Sequence, residues 1–305
     1  MKDPEQWLQQ RIHKILLATD FHQNSRLALS FAVSFARYFK SELTALNAFE
    51  FGPYSETVEV VDHLPSRART DAKELLQKFV AEAGAIIVTS DVVVVEGLVS
   101  SAIIKALSEL SVDLLVIGTE GIHRGLDHAV LGSNTEALML GARCLTMTIG
   151  PHVPERQDKA LVFRKVIYVS DFTVSSTAAA TYAFSFGRVF EVDVEVCQLV
   201  SKAAINDPQK LKQAAAHYCD ILKFEDPELP TTWFDSEYQL SRITSGDELM
   251  AKVSEPSNLI VLGVQPASFL QRHLHTSLAY RLLTSAASPV LTVPVTRGRN
   301  GHGQW

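Results

Sequence analysis

The 305-residue chain has little of the chemistry that marks whole function classes. Only three cysteines occur, Cys144, Cys197 and Cys219, scattered and odd in number. They form neither a metal-ligand spacing nor a disulfide framework, which points to a reducing compartment. Positive charge is in deficit: 28 Lys and Arg stand against 34 Asp and Glu, a formal net charge of −6. No basic cluster suggests a surface that tracks a nucleic-acid backbone. No apolar run approaches the ~20 residues needed to cross a bilayer. Met1 to Gln10 is polar, with Asp3 and Glu5 where a secretory signal would carry positive charge. The expectation is a cytoplasmic protein with neither nucleic-acid nor membrane partners.

A dedicated catalytic constellation is also missing. There is no G-x-S-x-G elbow and no G-x-x-x-x-G-K-[ST] loop. Without that lysine and a metal-holding acid, fast ATP hydrolysis is not expected. His273 and His275 have no Cys, Asp or Glu at ligand spacing and read as a solvated loop pair. His123 and His128 read as exposed loop histidines, and Cys144 as a structural thiol, since no flanking positive cluster would lower its pKa. The sequence offers no catalytic residue and no metal site. The tail Arg297 to Trp305, rich in Gly and Arg, reads as disordered.

What the chain does have is apolar material, 47% of it, and a phrase written twice. Lys14-Ile-Leu-Leu-Ala-Thr-Asp20-Phe21 returns as Lys165-Val-Ile-Tyr-Val-Ser-Asp171-Phe172, 151 residues later. Val112-Asp-Leu-Leu-Val-Ile-Gly118 returns as Ser257-Asn-Leu-Ile-Val-Leu-Gly263. Each first phrase leads into a helical apolar pattern, and each second phrase follows a helical stretch. Further strands are expected over 42–49, 86–95, 192–200 and 231–239, with closing strands over 145–149 and 289–295. Helices are expected over 66–83 and 207–223. Alternating strands and helices call for parallel sheets covered on both faces. The reading is two tandem, doubly wound, mainly parallel five-stranded α/β sheets with helices on both faces. The units are a first domain over 1–152, a linker over 153–160, a second domain over 161–296 and a tail over 297–305.

In open parallel sheets, ligands sit beyond the carboxyl ends of the strands at the switch point. In the first half Asp20 follows the first strand there. Gly118-Thr-Glu-Gly121 follows the fourth, and Gly132-Ser133 opens a helix. Glycines let a backbone approach a phosphate, and a helix N-terminus offers free N–H groups to an anion. The same glycines also suit tight turns with no ligand at all.

This pattern resembles the universal stress protein family, in which a strand ends in Asp and a later strand leads into G-x2-G-x9-G-[ST]. The likeness covers nearly the whole chain, once per half. It implies an adenine-nucleotide alpha-hydrolase-like fold and ATP or AMP in the first half, with or without Mg2+. The residues it implies are Asp20 and the backbone of Ala48 for adenine, Gly118 and Gly121 for ribose and phosphate, and Gly132 and Ser133 for phosphate. One departure is an extra residue: ten, not nine, separate Gly121 from Gly132, near His123-Arg124-Gly125. The second half departs further, with Pro266 at the second glycine and Thr276-Ser277 at the Gly-Ser position. Proline has no N–H and cannot take a positive φ, so no cofactor is expected there, and Asp171 becomes a turn or cap residue. The resemblance also implies a dimer-like pairing of the two halves within one chain through their closing strands, and it allows a homodimer of whole chains. The expected function is a nucleotide-responsive stress-response or regulatory protein. The alternatives are a slow ATP-hydrolysing or phosphotransfer enzyme and a nucleotide-free interaction scaffold.

Overall fold

The computed structural model describes residues 4–50, 64–82, 89–119, 132–155, 161–173, 176–201, 204–225, 240–264 and 278–294. The first half runs α1 (Pro4–Arg11), β1 (Lys14–Ala18), α2 (Gln23–Phe39), β2 (Glu42–Phe49), α3 (Leu64–Glu82), β3 (Thr89–Glu96), α4 (Val99–Glu109), β4 (Leu114–Gly118), α5 (Ser133–Gly141) and β5 (Leu145–Ile149). The second runs β6 (Val166–Ser170), α6 (Thr177–Val189), β7 (Val194–Leu199), α7 (Pro208–Glu225), β8 (Leu240–Ile243), α8 (Gly246–Val253), β9 (Leu259–Val264), α9 (Leu278–Ser285) and β10 (Val290–Pro294).

The ten strands among the described residues form one sheet, ordered β3-β2-β1-β4-β5-β10-β9-β6-β7-β8. Each half is therefore a five-stranded parallel sheet, and the second repeats the order of the first in reverse. They join edge to edge where β5 meets β10 antiparallel, with Met147 opposite Leu291. The residues of β4, β5, β6 and β10 are almost all buried, as expected of strands covered on both faces. Joining the halves also removes two exposed sheet edges.

The six non-glycine residues with positive φ among the described residues fall at matching places in the two halves: Phe21 and Phe172, Lys40 and Glu191, Ser111 and Ser257. The first pair follows the first strand of each half, and the others follow helices. Repetition of this uncommon backbone state is stronger evidence of duplication than repetition of apolar strands.

One face of the sheet carries a single core drawn from both halves. Here α2 packs on α6 through an aromatic cluster: Phe35 meets Phe186 at 6.2 Å, Phe39 meets Phe190 at 6.3 Å, and Phe163 meets Phe190 at 5.0 Å. Equivalent residues meet their own counterparts, which marks an isologous contact around a pseudo-two-fold axis. The opposite face holds two separate cores, one under α4 and α5, the other under α8 and α9.

Two differences from the sequence reading stand out. Helix α1 is unforeseen, because PEQWLQQR has only Trp7 and Leu8 as apolar residues; tertiary docking makes it, with Leu8 buried and Trp7 against Tyr182 of α6 at 5.2 Å. The strand expected over 231–239 lies outside the described residues, and the described strand β8 begins at Leu240.

Candidate functional site

The strand order reverses between β1 and β4, so their carboxyl ends define the switch point of the first half. Asp20, Gly118 and Ala48 lie at this edge, while Gly132 and Ser133 begin α5. Gly121 and the glycine loop lie outside the described residues, as do His123, His128, Pro266, His273, His275, Thr276 and Ser277.

Asp20 is a turn-former first. Its Oδ1 accepts the His22 N–H at 3.1 Å, closing an Asx-turn, and the Ser25 hydroxyl at 2.7 Å. The His22 ring nitrogen Nδ1 lies 3.1 Å from Oδ2. Phe21 occupies the left-handed region at φ 68, and its N–H is satisfied by Thr19 Oγ1 at 3.0 Å. Partial burial raises the Asp20 carboxyl, but the hydrogen bonds from Ser25 and His22 outweigh it and leave the pKa below the ordinary value. The side chain is still 60% exposed, so the carboxylate retains room to accept further bonds.

Ala48 lies near the end of β2. Beyond Leu46, which pairs with Ala18, β2 is paired with β3 alone among the described strands, and Ala48 stands opposite Val95. Its side facing the switch point is thus past the end of the β1 ladder.

The two described glycines have different physical reasons. A Cβ on Gly118 would lie 2.5 Å from the Asn24 carbonyl carbon and oxygen and 2.8 Å from the Ser25 nitrogen. Gly118 is therefore required by the close approach of β4 to the first turn of α2. Gly132 has φ −60, open to any residue, and a Cβ there would meet only Thr135 Oγ1 at 3.9 Å. Neither backbone nor packing among the described residues asks for glycine at 132. It caps α5 without a side-chain hydrogen bond, and Ser133 is exposed beside it.

Three residues at this edge were not singled out from the sequence. Ser25 holds Asp20, and Asn24 Nδ2 donates to the Thr119 carbonyl at 2.7 Å, tying α2 to the end of β4. Thr119 is buried, and its hydroxyl has no hydrogen-bond partner among the described residues. The available signal was its position straight after the strand-ending glycine.

The corresponding loop of the second half has the same backbone on a different floor. Asp171 Oδ1 accepts the Thr173 N–H at 3.1 Å and its hydroxyl at 2.7 Å, and Phe172 takes φ 59 with its N–H on Ser170 Oγ at 3.0 Å. Beneath it, the Tyr168 and Tyr218 hydroxyls meet at 2.5 Å, and Tyr218 and Ser170 each lie 2.8 Å from Ser176 Oγ. Tyr168 also donates to the Ser176 carbonyl at 2.8 Å, and Phe172 stacks on Tyr218 at 4.7 Å. In the first half Leu17 stands for Tyr168, and Phe79 packs on Phe21 at 5.6 Å.

Comparison with known proteins agrees with this geometry. A model of the universal stress protein family matches residues 11–149. A Staphylococcus haemolyticus protein named as a universal stress protein is 31% identical over 138 residues, 44% of this chain and 82% of its own. The chain belongs to the universal stress protein family. A universal stress protein of Methanocaldococcus jannaschii is 26% identical over 141 residues, 45% of this chain and 81% of its own. The fold likeness extends over both halves. A universal stress protein from Archaeoglobus fulgidus matches with TM-score 0.62 at 16% identity, covering 93% of this chain and 98% of that one. A Pseudomonas aeruginosa protein described as functionally unknown matches with TM-score 0.56 at 17% identity, covering 94% of each. The universal stress protein fold is thus present twice in one chain. Among the described residues no helix is long and apolar enough to cross a membrane, and no group of His, Cys, Asp or Glu is placed to hold a metal ion.

Proposed function

We propose that this universal stress protein is a nucleotide-responsive regulator that holds ATP or AMP in its first half only. The observation that carries the reading is Gly132. Among the described residues it opens α5 with no partner for the first N–H groups, and no steric or backbone requirement accounts for its missing side chain. A phosphate close to the backbone would supply such a requirement. In this reading Gly132 and Ser133 take phosphate, Gly118 and Gly121 border ribose and phosphate, and Asp20 with the Ala48 backbone takes adenine. Mg2+ would accompany the triphosphate.

The second half is degenerate in this reading. Pro266 removes an N–H and Thr276 adds bulk at the cradle positions. The hydroxyls beneath Asp171 are bonded to one another. The two halves act as an intramolecular pseudo-dimer, with a homodimer of whole chains as a further level of assembly.

Mass spectrometry of small molecules released from freshly purified protein tests the reading. ATP or AMP in wild type and its absence in Gly132→Val is the expected result. An empty wild type that also fails to take up added ATP would overturn it in favour of a scaffold. Turnover of labelled ATP well above background would overturn it in favour of an enzyme.

A further inference from the structure

A cleft of about 430 Å³ opens at the seam of the two halves, on the opposite edge of the first half's sheet from Asp20 and Gly118. It lies at the amino ends of β4 and β5, where Val112, Asp113 and Leu145 stand. Because β10 runs antiparallel to β5, the carboxyl end of β10 with Val293 and Pro294 reaches the same place. Helix α1 contributes Gln10 and Arg11, α6 contributes Tyr182, and Arg143 precedes β5. We propose that this cleft binds a small ligand carrying one oxyanion, carboxylate or phosphate, on an apolar body.

Charge is the first reason. Two guanidinium groups line the cleft in a chain whose net charge is −6. The one carboxylate there, Asp113, has Oδ2 engaged by the N–H groups of His13 at 3.0 Å and Lys14 at 2.9 Å. Arg143 makes no hydrogen bond or ion pair among the described residues. Arg11 is held in place, its guanidinium 4.5 Å from the centre of the Trp7 ring. One anchored fork and one without a hydrogen-bond partner among the described residues, with Gln10 also lining the cleft, are a donor set suited to a planar or tetrahedral oxyanion. The apolar floor of Leu145, Val293 and Pro294 suits the rest of the ligand, and the volume is that of a small-molecule site.

Asymmetry is the second reason. The pseudo-two-fold axis gives the seam two ends. At the other end Gly150 lies against α9, where a Cβ would be 3.2 Å from the Leu283 carbonyl oxygen. The open end is built by α1, and the described residues ahead of β6, 150–155 and 161–165, include no corresponding helix. The added helix brings Arg11, Gln10 and the Trp7 ring to one place.

The test is a titration of the full-length chain with phenyl phosphate, benzoate and neutral benzyl alcohol, read from the arginine Nε–Hε resonances. The oxyanions are expected to shift Arg11 and Arg143 saturably and benzyl alcohol to leave them unmoved. Arg143→Gln, at an exposed residue with no hydrogen bond or ion pair among the described residues, should weaken anion binding about tenfold with no change in melting temperature. Gly132→Val should leave the response intact, which separates this cleft from the nucleotide site. Response to phenyl phosphate alone or to benzoate alone supports the proposal and names the oxyanion. No saturable shift, equal response to benzyl alcohol, unchanged affinity in Arg143→Gln or loss in Gly132→Val would each overturn it.

Discussion

The loop after β1 and the loop after β6 follow one backbone path: an aspartate closing an Asx-turn, then a phenylalanine in the left-handed region. What differs lies underneath. In the first half Ser25 donates to Asp20, over Leu17 and Phe79. In the second, Ser176 bonds inward to Ser170 and Tyr218. A duplicated fold keeps its turns because the chain path depends on them, while the chemistry of each half is free to diverge. The repeated Asp-Phe phrase therefore reports the fold and does not by itself distinguish the two halves.

The largest expected effect separates the two glycines. Gly118→Ala forces a Cβ to 2.5 Å from backbone that belongs to α2. It should cost about 3 kcal/mol in urea unfolding, the upper range for overpacking. Gly132→Ala should cost less than about 1 kcal/mol, an ordinary N-cap effect. Equal losses would mean that both glycines serve packing, and the distinction on which the nucleotide reading rests would fall.

Next comes an ionic cluster of the second half. Glu195 accepts from Lys252 at 2.7 Å, Lys165 at 2.9 Å and Ser241 at 2.9 Å. Burial raises its carboxyl, but these three bonds outweigh it and lower the pKa from 4.5 to about 2. A depressed folded pKa means stability present above the unfolded value and lost as pH falls through the folded one. The loss should therefore run from about pH 4.5 down to about pH 2. Its size is on the order of 3 kcal/mol by linkage. Acid titration of stability should show this slope in wild type and a shallower one in Glu195→Gln. In the first half Thr44 takes the matching strand position, so no such cluster is expected there.

A smaller effect probes the hydroxyl floor. Tyr168→Phe removes a buried hydroxyl that donates to the Ser176 carbonyl and accepts from Tyr218. It should cost about 1–2 kcal/mol, measured by denaturant midpoint, without touching nucleotide affinity. A loss of nucleotide affinity in this variant would place a ligand in the second half.

Much of the fold was legible because its signals are local. Strands covered on both faces read as apolar runs, and the order of the two repeated phrases predicted two α/β sheets. The fusion into one sheet depends on β5 and β10 finding each other, which no local signal states; the closing strands only suggested it through the family resemblance. Helix α1 could not be read from a polar segment whose stability comes from Leu8 and Trp7 docking on another half of the chain. The candidate site was legible as residue types, but not as reasons. Asp20 and Gly118 read as ligand contacts and carry structural duties, whereas among the described residues Gly132 caps α5 with no packing or backbone need for glycine. The Tyr168–Tyr218 pair was hidden because its members lie 50 residues apart and meet only when α7 covers β6.

Calorimetric titration of ATP into the whole chain tests the central claim, that one half binds nucleotide and the other does not. The account predicts one site per chain, lost in Gly132→Val and retained in Ser277→Ala. Two equivalent sites, or a single site lost in Ser277→Ala and retained in Gly132→Val, would contradict it.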